Sequence, residues 1–543
     1  MIEGPLFKSP VLKLNEIKLI IITAVFLVVF TNYAFFSHAL EKFPVTANNI
    51  GFLLSLVILH GAIIVIFLSL TCIRYTTKPL LITILVVSSS AAYFMDSYNV
   101  IIDDTMILNI LHTNLAETLD LINYKLILYI SLLGLLPSYI IYKTEIEYTP
   151  FLATVINRSK LVFASIIVSV TCILLFGSHY ASFIRLHKSL RYYANPEYYI
   201  YSTYTYLVSN DAANGEIEIT HIAQGAEIPE SDTERELIIM IAGETARADR
   251  FSLNGYQRET TPLLKQLDVL SYTNVWSCGT STAVSLPCEF SIYNHDEYDK
   301  NTELHTENLL DILKHAGVNV LWRDNNSSSK GVAVRQTEEN FRTPDNNPDC
   351  DIECRDTGML SGLQQYIDSH SKGDIFIVLH QMGSHGPAYY HRYPESFEKF
   401  TPTCKTNQLE SCTNEEINNT YDNTILYTDY FLSEVIRLLK NNSNNFETVM
   451  FYISDHGESL GEKGLYLHGL PDLIAPDVQK HVPLVVWIDT YNDDFDINKM
   501  KQNINKQYSH DNIFHTILGI LEIQTSVYRP DMDIMEYAES RVR

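Results

Sequence analysis

Positive charge is scarce in this sequence: 39 Lys+Arg stand against 64 Asp+Glu, and the formal net charge is −25. Residues 1–180 contain 10 residues of each sign, so the whole excess falls on the rest of the chain. A domain this acidic repels the phosphate backbone of nucleic acid. We therefore set nucleic acid aside as a partner.

The pattern C-x-x-C is also absent, although the chain has eight cysteines, which argues against a zinc cluster built from cysteine. Cys72 and Cys172 lie in apolar runs, and we expect them to be unpaired. The other six lie close together in pairs, which predicts local disulfides in an oxidising compartment. These pairs are Cys278/Cys288, Cys350/Cys354 and Cys404/Cys412.

Long apolar runs fill the first third of the chain, and five of them reach the roughly 20 residues that cross a bilayer. They lie at about 18–37, 50–73, 80–97, 125–142 and 161–179. The length of the first run, and the four that follow, argue against a cleaved signal peptide. The third run is the most polar, with three serines in it. The sequence thus predicts a helical membrane domain of five spans over residues 1–180.

Lys and Arg in short loops set the orientation of membrane helices, because they stay on the cytoplasmic side. They occur before the first, third and fifth runs: Lys8, Lys13, Lys18, Arg74, Lys78, Lys143, Arg158 and Lys160. The loop 98–124 has neither. An odd number of spans then places the chain after about residue 180 outside the cytoplasm. We expect a multi-pass protein of the bacterial inner membrane with this part in the periplasm.

The segment 181–234 is expected to connect the membrane domain to a soluble domain. Residues 185–207 are crowded with tyrosine, and tyrosine rings favour the headgroup layer. We interpret them as a helix lying on the outer leaflet; a strut packed against the soluble domain is the alternative. Residues 208–234 are polar and contain glycine, which is typical of a linker.

Short apolar runs alternate with helical stretches over residues 235–543. The runs are ELIIMIAG, VNVLW, DIFIVLH, TVMFYIS and VPLVVWI. Buried strands with intervening helices predict an α/β sheet covered on both faces. Ligands of such folds bind beyond the carboxyl ends of the strands, so polar residues at those ends are candidates for a functional site.

Carboxylates and imidazoles follow several of these runs. They are Glu244, His380, His385, Asp455, His456 and, further along the chain, His468. Two carboxylates and an imidazole at adjacent strand ends form a mixed oxygen and nitrogen set that suits Zn²⁺ with one position open. Any one of these residues alone is as well explained as a cap or turn residue. Their joint occurrence is what predicts a metal site.

A nucleophilic hydroxyl is expected beside that metal, because a metal ion favours ionisation of a neighbouring hydroxyl. The segment WSCGTSTA offers Thr280, Ser281 and Thr282. A Cys278–Cys288 disulfide would make this loop rigid, which suits a group that tolerates little displacement. The residues alone do not choose among the three hydroxyls.

Six stretches around these residues resemble a known family. They are GETARADRFSLNGYQRETTP, CGTSTAVSLPC, WRDNNSSSKGV, HQMGSHGPAYYHRYP, CTNEEINNTYDNTILYTDYFL and SDHGESLGEKGLYLHG. Over nearly its whole length the chain resembles lipid A phosphoethanolamine transferases, including the mobile colistin-resistance enzymes, of the alkaline phosphatase/sulfatase superfamily. The resemblance implies a five-helix membrane anchor and a catalytic domain built as an α/β/α sandwich.

The resemblance also implies roles for single residues. Thr282, the second threonine of CGTST, would be the nucleophile. It would share one zinc ion with Glu244, Asp455 and His456, and His380 would lie behind these ligands.

Further residues would contact the phosphate groups. His385 and His468 would touch the transferring phosphoryl group or bind a second, weaker zinc ion, and Lys330 matches the family's phosphate-binding lysine. Some relatives have cysteines where this chain has Ser329 and Ala333. One disulfide of those relatives is therefore missing, which puts the rigidity of the Lys330 loop in doubt.

A polar stripe in the loop 98–124 also matches the family. Asn109, Thr113 and Glu117 are spaced by four residues, which places them on one face of a helix at about 103–118. In the family this helix helps to bind the phosphoethanolamine headgroup, whose ammonium would suit Glu117. A solvated polar stripe is the alternative.

The resemblance implies transfer of phosphoethanolamine from phosphatidylethanolamine to a lipid A phosphate, through a covalent intermediate on Thr282. An added amine lowers the negative charge of lipid A, so cationic polymyxins such as colistin should bind it less. We expect the protein to act as a monomer among membrane lipids.

Three other functions fit parts of the sequence. A related phosphoethanolamine or phosphoglycerol transferase would act on a different glycan or lipopolysaccharide acceptor. A sulfatase needs a C-x-P-x-R type modification site, which the CGTST loop lacks, and a phosphatase would release its product to water. An inactive membrane scaffold would not need the intact set of Glu244, Asp455 and His456.

Overall fold

The computed structural model describes residues 12–113, 115–211, 219–223, 225–490 and 492–539. Within these ranges the chain forms two compact units. The first contains residues 12–107 and 122–206, and the second contains residues 108–121 and 207–539.

Apolar helices make up the first unit. Four of those described are long and apolar enough to cross a membrane, and a fifth span results if the pair bent by 57° counts as one. The four are Ile50–Thr71, Thr77–Tyr98, Tyr124–Lys143 and Phe151–Leu175, and the bent pair is Glu16–Phe30 with Tyr33–Lys42. The predicted helical membrane domain is thereby confirmed with four to five apolar helices.

Buried polar groups explain why one predicted span has so many serines. Ser88 and Ser89 lie on the helix Thr77–Tyr98 and are fully buried within the unit. Gly134 approaches them so closely that a Cβ there would lie 2.5 Å from the Ser89 hydroxyl oxygen. Small residues let membrane helices come close together, so these serines pack between helices. Cys72 and Cys172 are buried and unpaired, as predicted.

The tyrosine-rich segment packs against the membrane helices of its own unit. Its helical parts are Gly177–Leu186, the 3₁₀ turn Lys188–Tyr193 and Glu197–Asp211. Asn195 exchanges hydrogen bonds with Asn32, donating its backbone N–H to Oδ1 at 3.0 Å and accepting from Nδ2 at 2.6 Å. Its side chain donates to the carbonyl of Ser88 at 2.9 Å. Three hydrogen bonds of Asn195 therefore fasten this segment to the helices.

An eight-stranded sheet forms the centre of the second unit. In chain order, β1–β8 are Glu236–Gly243, Leu270–Trp276, Asn319–Asp324, Thr337–Asn340, Ile375–His380, Glu447–Ser454, His481–Ile488 and Tyr508–Ser509. Their spatial order is β8-β2-β7-β6-β1-β5-β3-β4. All neighbours are parallel except β7, which runs antiparallel to β2 and β6.

Helices cover both faces of this sheet. Four helices share one buried cluster with Ile238, Met240 and Ala242 of β1; they are Thr282–Glu289, Leu309–His315, Ile497–Asn503 and Ile513–Ile520. The helix Asn414–Asn442 packs on β6 and begins at a capping box formed by Thr413 and Glu416. The predicted α/β/α sandwich is confirmed.

The remaining elements are short. The described helices include Asp104–His112, Leu115–Leu121, Lys300–Leu304 and Leu363–Ser369. Two small strand pairs are Lys13–Asn15 with Glu145–Glu147, and Ser459–Leu460 with Tyr466–Leu467. Three disulfides are formed as the sequence predicts: Cys278–Cys288, Cys350–Cys354 and Cys404–Cys412.

We expect Leu313→Ala to destabilise the second unit by about 2–5 kcal/mol, because Leu313 is fully buried in the cluster beneath β1. Lys314→Ala, at the exposed neighbouring position, should change the free energy of unfolding by about 0.5 kcal/mol or less. Unfolding curves of the purified protein in detergent measure both. Equal effects of the two variants would contradict this packing.

Candidate active site

Two neighbouring strands place three of the predicted metal ligands together. Gly243 at the end of β1 pairs with Ser454 at the end of β6, so Glu244 and Asp455 follow side by side. His456 Nε2 lies 3.5 Å from Glu244 Oε1 and 3.3 Å from Asp455 Oδ2. All three side chains are fully buried. The structure therefore brings these residues into one cluster at the carboxyl ends of the strands.

Thr282 is the hydroxyl that faces this cluster. It begins the helix Thr282–Glu289, and its Oγ1 lies 3.1 Å from Glu244 Oε2 and 3.3 Å from His456 Nε2. Thr280 instead donates its hydroxyl to the carbonyl of Leu470. Of the two threonines, Thr282 is thus the one whose hydroxyl lies beside the buried carboxylate.

Asp455 shows why the cluster fits a cation. Its Oδ1 accepts hydrogen bonds from the backbone N–H groups of Thr245 and His456, at 3.1 and 2.7 Å. Its Oδ2 is buried without a hydrogen-bond partner. Burial, and then the charge of Glu244, raise the pKa of Asp455 well above its usual value. A positive ion beside Oδ2 would remove both penalties.

The orientation of His456 fits a metal ligand as well. Its Nδ1 lies 2.9 Å from the carbonyl oxygen of Gly457. A carbonyl only accepts, so Nδ1 carries the proton and Nε2 presents a lone pair toward Glu244 and Thr282. Such a fixed tautomer is the usual arrangement of histidines that bind zinc. Two carboxylates, one imidazole and one hydroxyl make a donor set that fits Zn²⁺.

Two residues that the sequence analysis missed orient Glu244. Asn326 donates its side-chain N–H to Glu244 Oε2 at 2.6 Å, and Thr245 donates its hydroxyl to Oε1 at 2.5 Å. Thr245 has a φ of 60°, which is uncommon for a β-branched residue. Asn326 follows the end of β3, so the rule that polar residues after strands form the site was a signal for it.

His385 and His468 lie beside the cluster and differ in their protonation. The ring of His468 is 4.4 Å from that of His456 and 5.4 Å from that of His385, between centroids. Burial lowers the pKa of His468, but the charge of Glu458 and its hydrogen bond raise it to about 9. Burial lowers the pKa of His385 to about 3. One imidazole is thus protonated at neutral pH and the other is not.

His380 lies at the end of β5 and donates from Nδ1 to Asp324 Oδ2 over 2.9 Å. Burial opposes its protonation, but the charge of Asp324 raises its pKa above the usual value. Asp324 therefore favours the protonated form of His380, and the charges of Glu244 and Asp455 raise its pKa further.

Lys330 lies in the loop that also contains Asn326. Its Nζ is hydrogen-bonded to the hydroxyl of Ser327. Ser329 is buried and donates to Glu338 Oε2 at 3.3 Å. A hydrogen bond thus fastens this loop to β4.

Comparisons with known proteins identify the family of this chain. Residues 61–210 match the family described as phosphoethanolamine transferase EptA/EptB, and residues 236–523 match the sulfatase family. The chain is 43% identical to the phosphatidylethanolamine transferase Mcr-1 of Escherichia coli, over 86% of this chain and 88% of that protein. The chain belongs to the EptA/Mcr family of phosphoethanolamine transferases.

Two further relatives extend the likeness to the whole transferase. The phosphoethanolamine transferase EptA of Escherichia coli (strain K12) is 38% identical over 98% of both chains. The solved structure of the integral membrane lipooligosaccharide phosphoethanolamine transferase A from Neisseria meningitidis has a TM-score of 0.93 and 34% identity. It covers 96% of this chain and 99% of its own. The likeness therefore includes the membrane helices as well as the catalytic sandwich.

The polar stripe of this transferase does not lie on one continuous helix. Asp104–His112 and Leu115–Leu121 are separate helices. Thr113 follows the first helix and is not helical, and its hydroxyl donates to the carbonyl of Asn109 at 2.7 Å. The side chain of Glu117 lies outside the described residues. The spacing of Asn109, Thr113 and Glu117 predicted one continuous helix, and the structure has two helices there instead.

Asp120 anchors the second of these helices to the catalytic sandwich, a contact that the sequence did not predict. Its Oδ2 accepts from Arg392 Nη2 at 2.5 Å, and its backbone carbonyl accepts from Asn407 at 2.5 Å. Arg392 is almost fully buried and also donates from Nε to the carbonyl of His385 at 2.7 Å. One guanidinium therefore connects this helix to a histidine of the site.

We expect Asp120→Asn to speed amide hydrogen exchange in residues 115–121. Burial raises the pKa of Asp120, but His391 and Arg392 hold it at about 2. The carboxylate therefore stabilises the contact above pH of about 4 and loses this effect only as pH falls toward 2.

The exposed Asp345 gives the matched control, Asp345→Asn, in which exchange over residues 115–121 should not change. Equal exchange in the wild type and in Asp120→Asn at pH 7 would show that the ion pair does not fasten the helix.

Proposed function

We propose that this transferase moves phosphoethanolamine from phosphatidylethanolamine to a lipid A phosphate, through a covalent phosphoethanolamine–Thr282 intermediate. The observation that supports this proposal best is the position of the Thr282 hydroxyl, 3.1 Å from a buried carboxylate oxygen of Glu244. The donor follows the name of the Mcr-1 relative, a phosphatidylethanolamine transferase. The acceptor class follows the lipooligosaccharide named for the Neisseria structure.

The catalytic unit is proposed to face the periplasm from the bacterial inner membrane. Its three disulfides support this location, because such bonds persist in an oxidising compartment. The scarcity of Lys and Arg in the loop 98–124 supports the same orientation. Both substrates are then lipids of the membrane that anchors the enzyme.

Glu244, Thr282, Asp455 and His456 would bind one Zn²⁺ ion in this proposal. The ion supplies a positive charge that favours the ionised form of a hydroxyl beside it. The buried and unpartnered Oδ2 of Asp455 supports a cation at this point. Binding of a second, weaker ion by His385 and His468 is the alternative to the role of His468 as a proton donor.

In the first step, the Thr282 hydroxyl gives its proton to solvent, and Oγ1 attacks the phosphorus of phosphatidylethanolamine. The Oγ1–phosphorus bond forms while the bond from phosphorus to the glycerol oxygen breaks. Protonated His468, held so by Glu458, donates a proton to the departing diacylglycerol oxygen. Lys330 stabilises the charge that develops on the nonbridging oxygens.

In the second step, a lipid A phosphate oxygen attacks the phosphorus of the intermediate. The bond to Thr282 Oγ1 breaks, and the ionised Thr282 oxygen returns to its place beside Glu244 and His456. His468 regains a proton from solvent. Asn109, Thr113 and Glu117 are proposed to contact the phosphoethanolamine headgroup. The product has an additional amine, which lowers the attraction of lipid A for cationic polymyxins such as colistin.

A different lipopolysaccharide acceptor is the alternative. One relative, 26% identical over 94% of this chain, is named Kdo(2)-lipid A phosphoethanolamine 7''-transferase. Fragmentation mass spectra of lipopolysaccharide from expressing cells separate the two, because they locate the added phosphoethanolamine on a lipid A phosphate or on the sugar core.

We expect Thr282→Ala to lower lipid A modification by on the order of 10³-fold or more, because no hydroxyl remains to attack. Thr282→Ser keeps a hydroxyl and should retain measurable transfer, and Ser281→Ala should resemble the wild type. The measurements are the mass spectrum of lipid A, the mass of the peptide that contains residue 282, and colistin resistance.

A covalent adduct on residue 282 should appear with phosphatidylethanolamine alone. Full transfer by Thr282→Ala would exclude this nucleophile, and loss of transfer in Ser281→Ala with retention in Thr282→Ala would move the role to Ser281.

We expect Asp455→Asn to lower the zinc content of the purified protein by about one ion per chain, because one of the three charged or imidazole ligands is lost. The exposed Asp368 provides the control, Asp368→Asn, which should keep the wild-type zinc content. Elemental analysis after dialysis measures this. An unchanged content in Asp455→Asn would contradict the proposed zinc site.

A further inference from the structure

A second group of metal-type ligands lies on the catalytic unit, outside the residues of the proposed active site. It consists of His221, Glu307 and His315, whose ligand-type atoms all lie within 4.8 Å of one another. The two imidazoles are about half exposed, with 55% and 49% of their side-chain surface accessible, whereas Glu307 is buried at 3%. The two imidazoles are therefore accessible to solvent, whereas the carboxylate of Glu307 is enclosed by the protein.

The three side chains converge on one point. His221 Nδ1 lies 2.5 Å from Glu307 Oε1, and His315 Nε2 lies 2.7 Å from the same oxygen. The other oxygen, Oε2, accepts from the backbone N–H of Ile222 at 2.9 Å. A carboxylate whose second oxygen is fixed by a hydrogen bond is typical of metal sites.

Backbone contacts hold the three residues in this arrangement. Thr220 and Thr306 form a parallel β-bridge, in which Thr220 donates to the carbonyl of His305 at 2.7 Å and Glu307 donates to the carbonyl of Thr220 at 3.1 Å. His221 and Glu307 therefore lie next to each other whether or not an ion is bound.

The nearby cations are engaged with other groups. Lys314 donates from Nζ to the carbonyl of Arg335 at 2.8 Å. Arg335 donates from Nε to both carboxylate oxygens of Asp311, at 2.9 and 3.0 Å. Glu307 thus has two imidazoles as its side-chain partners, and imidazole is the ligand that first-row transition metals favour.

We propose that His221 Nδ1, His315 Nε2 and a carboxylate oxygen of Glu307 bind a divalent transition-metal ion of the Zn²⁺ type, which fastens residues 219–223 to the helix Leu309–His315. Two histidines and one glutamate are a frequent zinc set and leave a position for water. Ligand atoms lie about 2.0–2.2 Å from a bound zinc ion. The two imidazole nitrogens must therefore move slightly away from Glu307 Oε1 when an ion binds. The exposed imidazoles have room to turn, and the buried carboxylate stays in place.

The alternative explanation is that the three side chains form only hydrogen bonds, in which the imidazoles donate to Glu307. Zinc binding separates the two, because a hydrogen-bonded trio takes up no ion. The site is independent of the proposed active-site zinc, so the experiment compares variants that leave Glu244, Asp455 and His456 intact.

The full-length protein in detergent is dialysed against buffered Zn²⁺ alone, and its zinc content is measured for the wild type and for the double variant His221→Ala/His315→Ala. We expect the double variant to contain about one ion less per chain. His370→Ala removes another surface histidine, whose Nδ1 faces the carbonyl of Tyr366, and should match the wild type. Equal zinc contents in the double variant and the wild type would overturn the proposal.

Glu307→Gln keeps the shape of the site and removes its charge. Since loss of residues that only support a ligand weakens metal affinity by about 10–100-fold, this variant should weaken zinc affinity at this site by at least about 10-fold. Hydrogen exchange gives a second measurement: Zn²⁺ should slow exchange in residues 219–223 of the wild type and not of the double variant. Slowing of the same size in both would also overturn the proposal.

Discussion

Two carboxylates buried side by side repel each other, and the candidate active site is arranged around this repulsion. Glu244 and Asp455 are adjacent because β1 and β6 are parallel neighbours that end in register. Neither side chain has access to water, so their charges must be balanced within the protein. Backbone amides donate hydrogen bonds to one oxygen of Asp455, and Asn326 and Thr245 donate to Glu244. Of the four oxygens of these two carboxylates, Oδ2 of Asp455 is the one that lies buried without a hydrogen-bond partner.

The same arrangement explains how one hydroxyl is selected from a loop that contains several. Ser277 donates its hydroxyl to the carbonyl of Asp455, and the disulfide Cys278–Cys288 closes the loop one residue later. The helix that follows then starts at Thr282, beside the carboxylate of Glu244. The backbone after β6 and the loop that contains Ser277 are therefore parts of one hydrogen-bonded structure, which limits displacement of the Thr282 oxygen.

Much of this could be predicted from the sequence, because buried parallel strands are continuous apolar runs and the residues that follow them meet at one edge of the sheet. Glu244, Asp455 and His456 were found in this way. The choice of Thr282 over Thr280 was not, since adjacent hydroxyls have equal chemistry and differ only in what they face.

Two other kinds of feature could not be predicted from the sequence: contacts between distant residues, and interruptions within a helix. Asp120 and Arg392 are 272 residues apart, and no local pattern connects them. The sequence did not predict the end of the helix before Thr113 or the 57° bend in the first apolar run. Hydrophobic periodicity shows which face of a helix is apolar, but it does not show where the helix ends or bends.

The hydrogen bond between Glu458 and His468 has a consequence for the environments in which such an enzyme can work. A compartment behind a porous outer membrane takes on the acidity of the medium, with little buffering of its own. An imidazole with a pKa near 6.5 would gain or lose its proton with every such fluctuation. Because Glu458 raises the pKa of His468 to about 9, the acid that we propose for the first step keeps its proton from mildly acidic to mildly alkaline surroundings. The proposed transfer would then proceed in both.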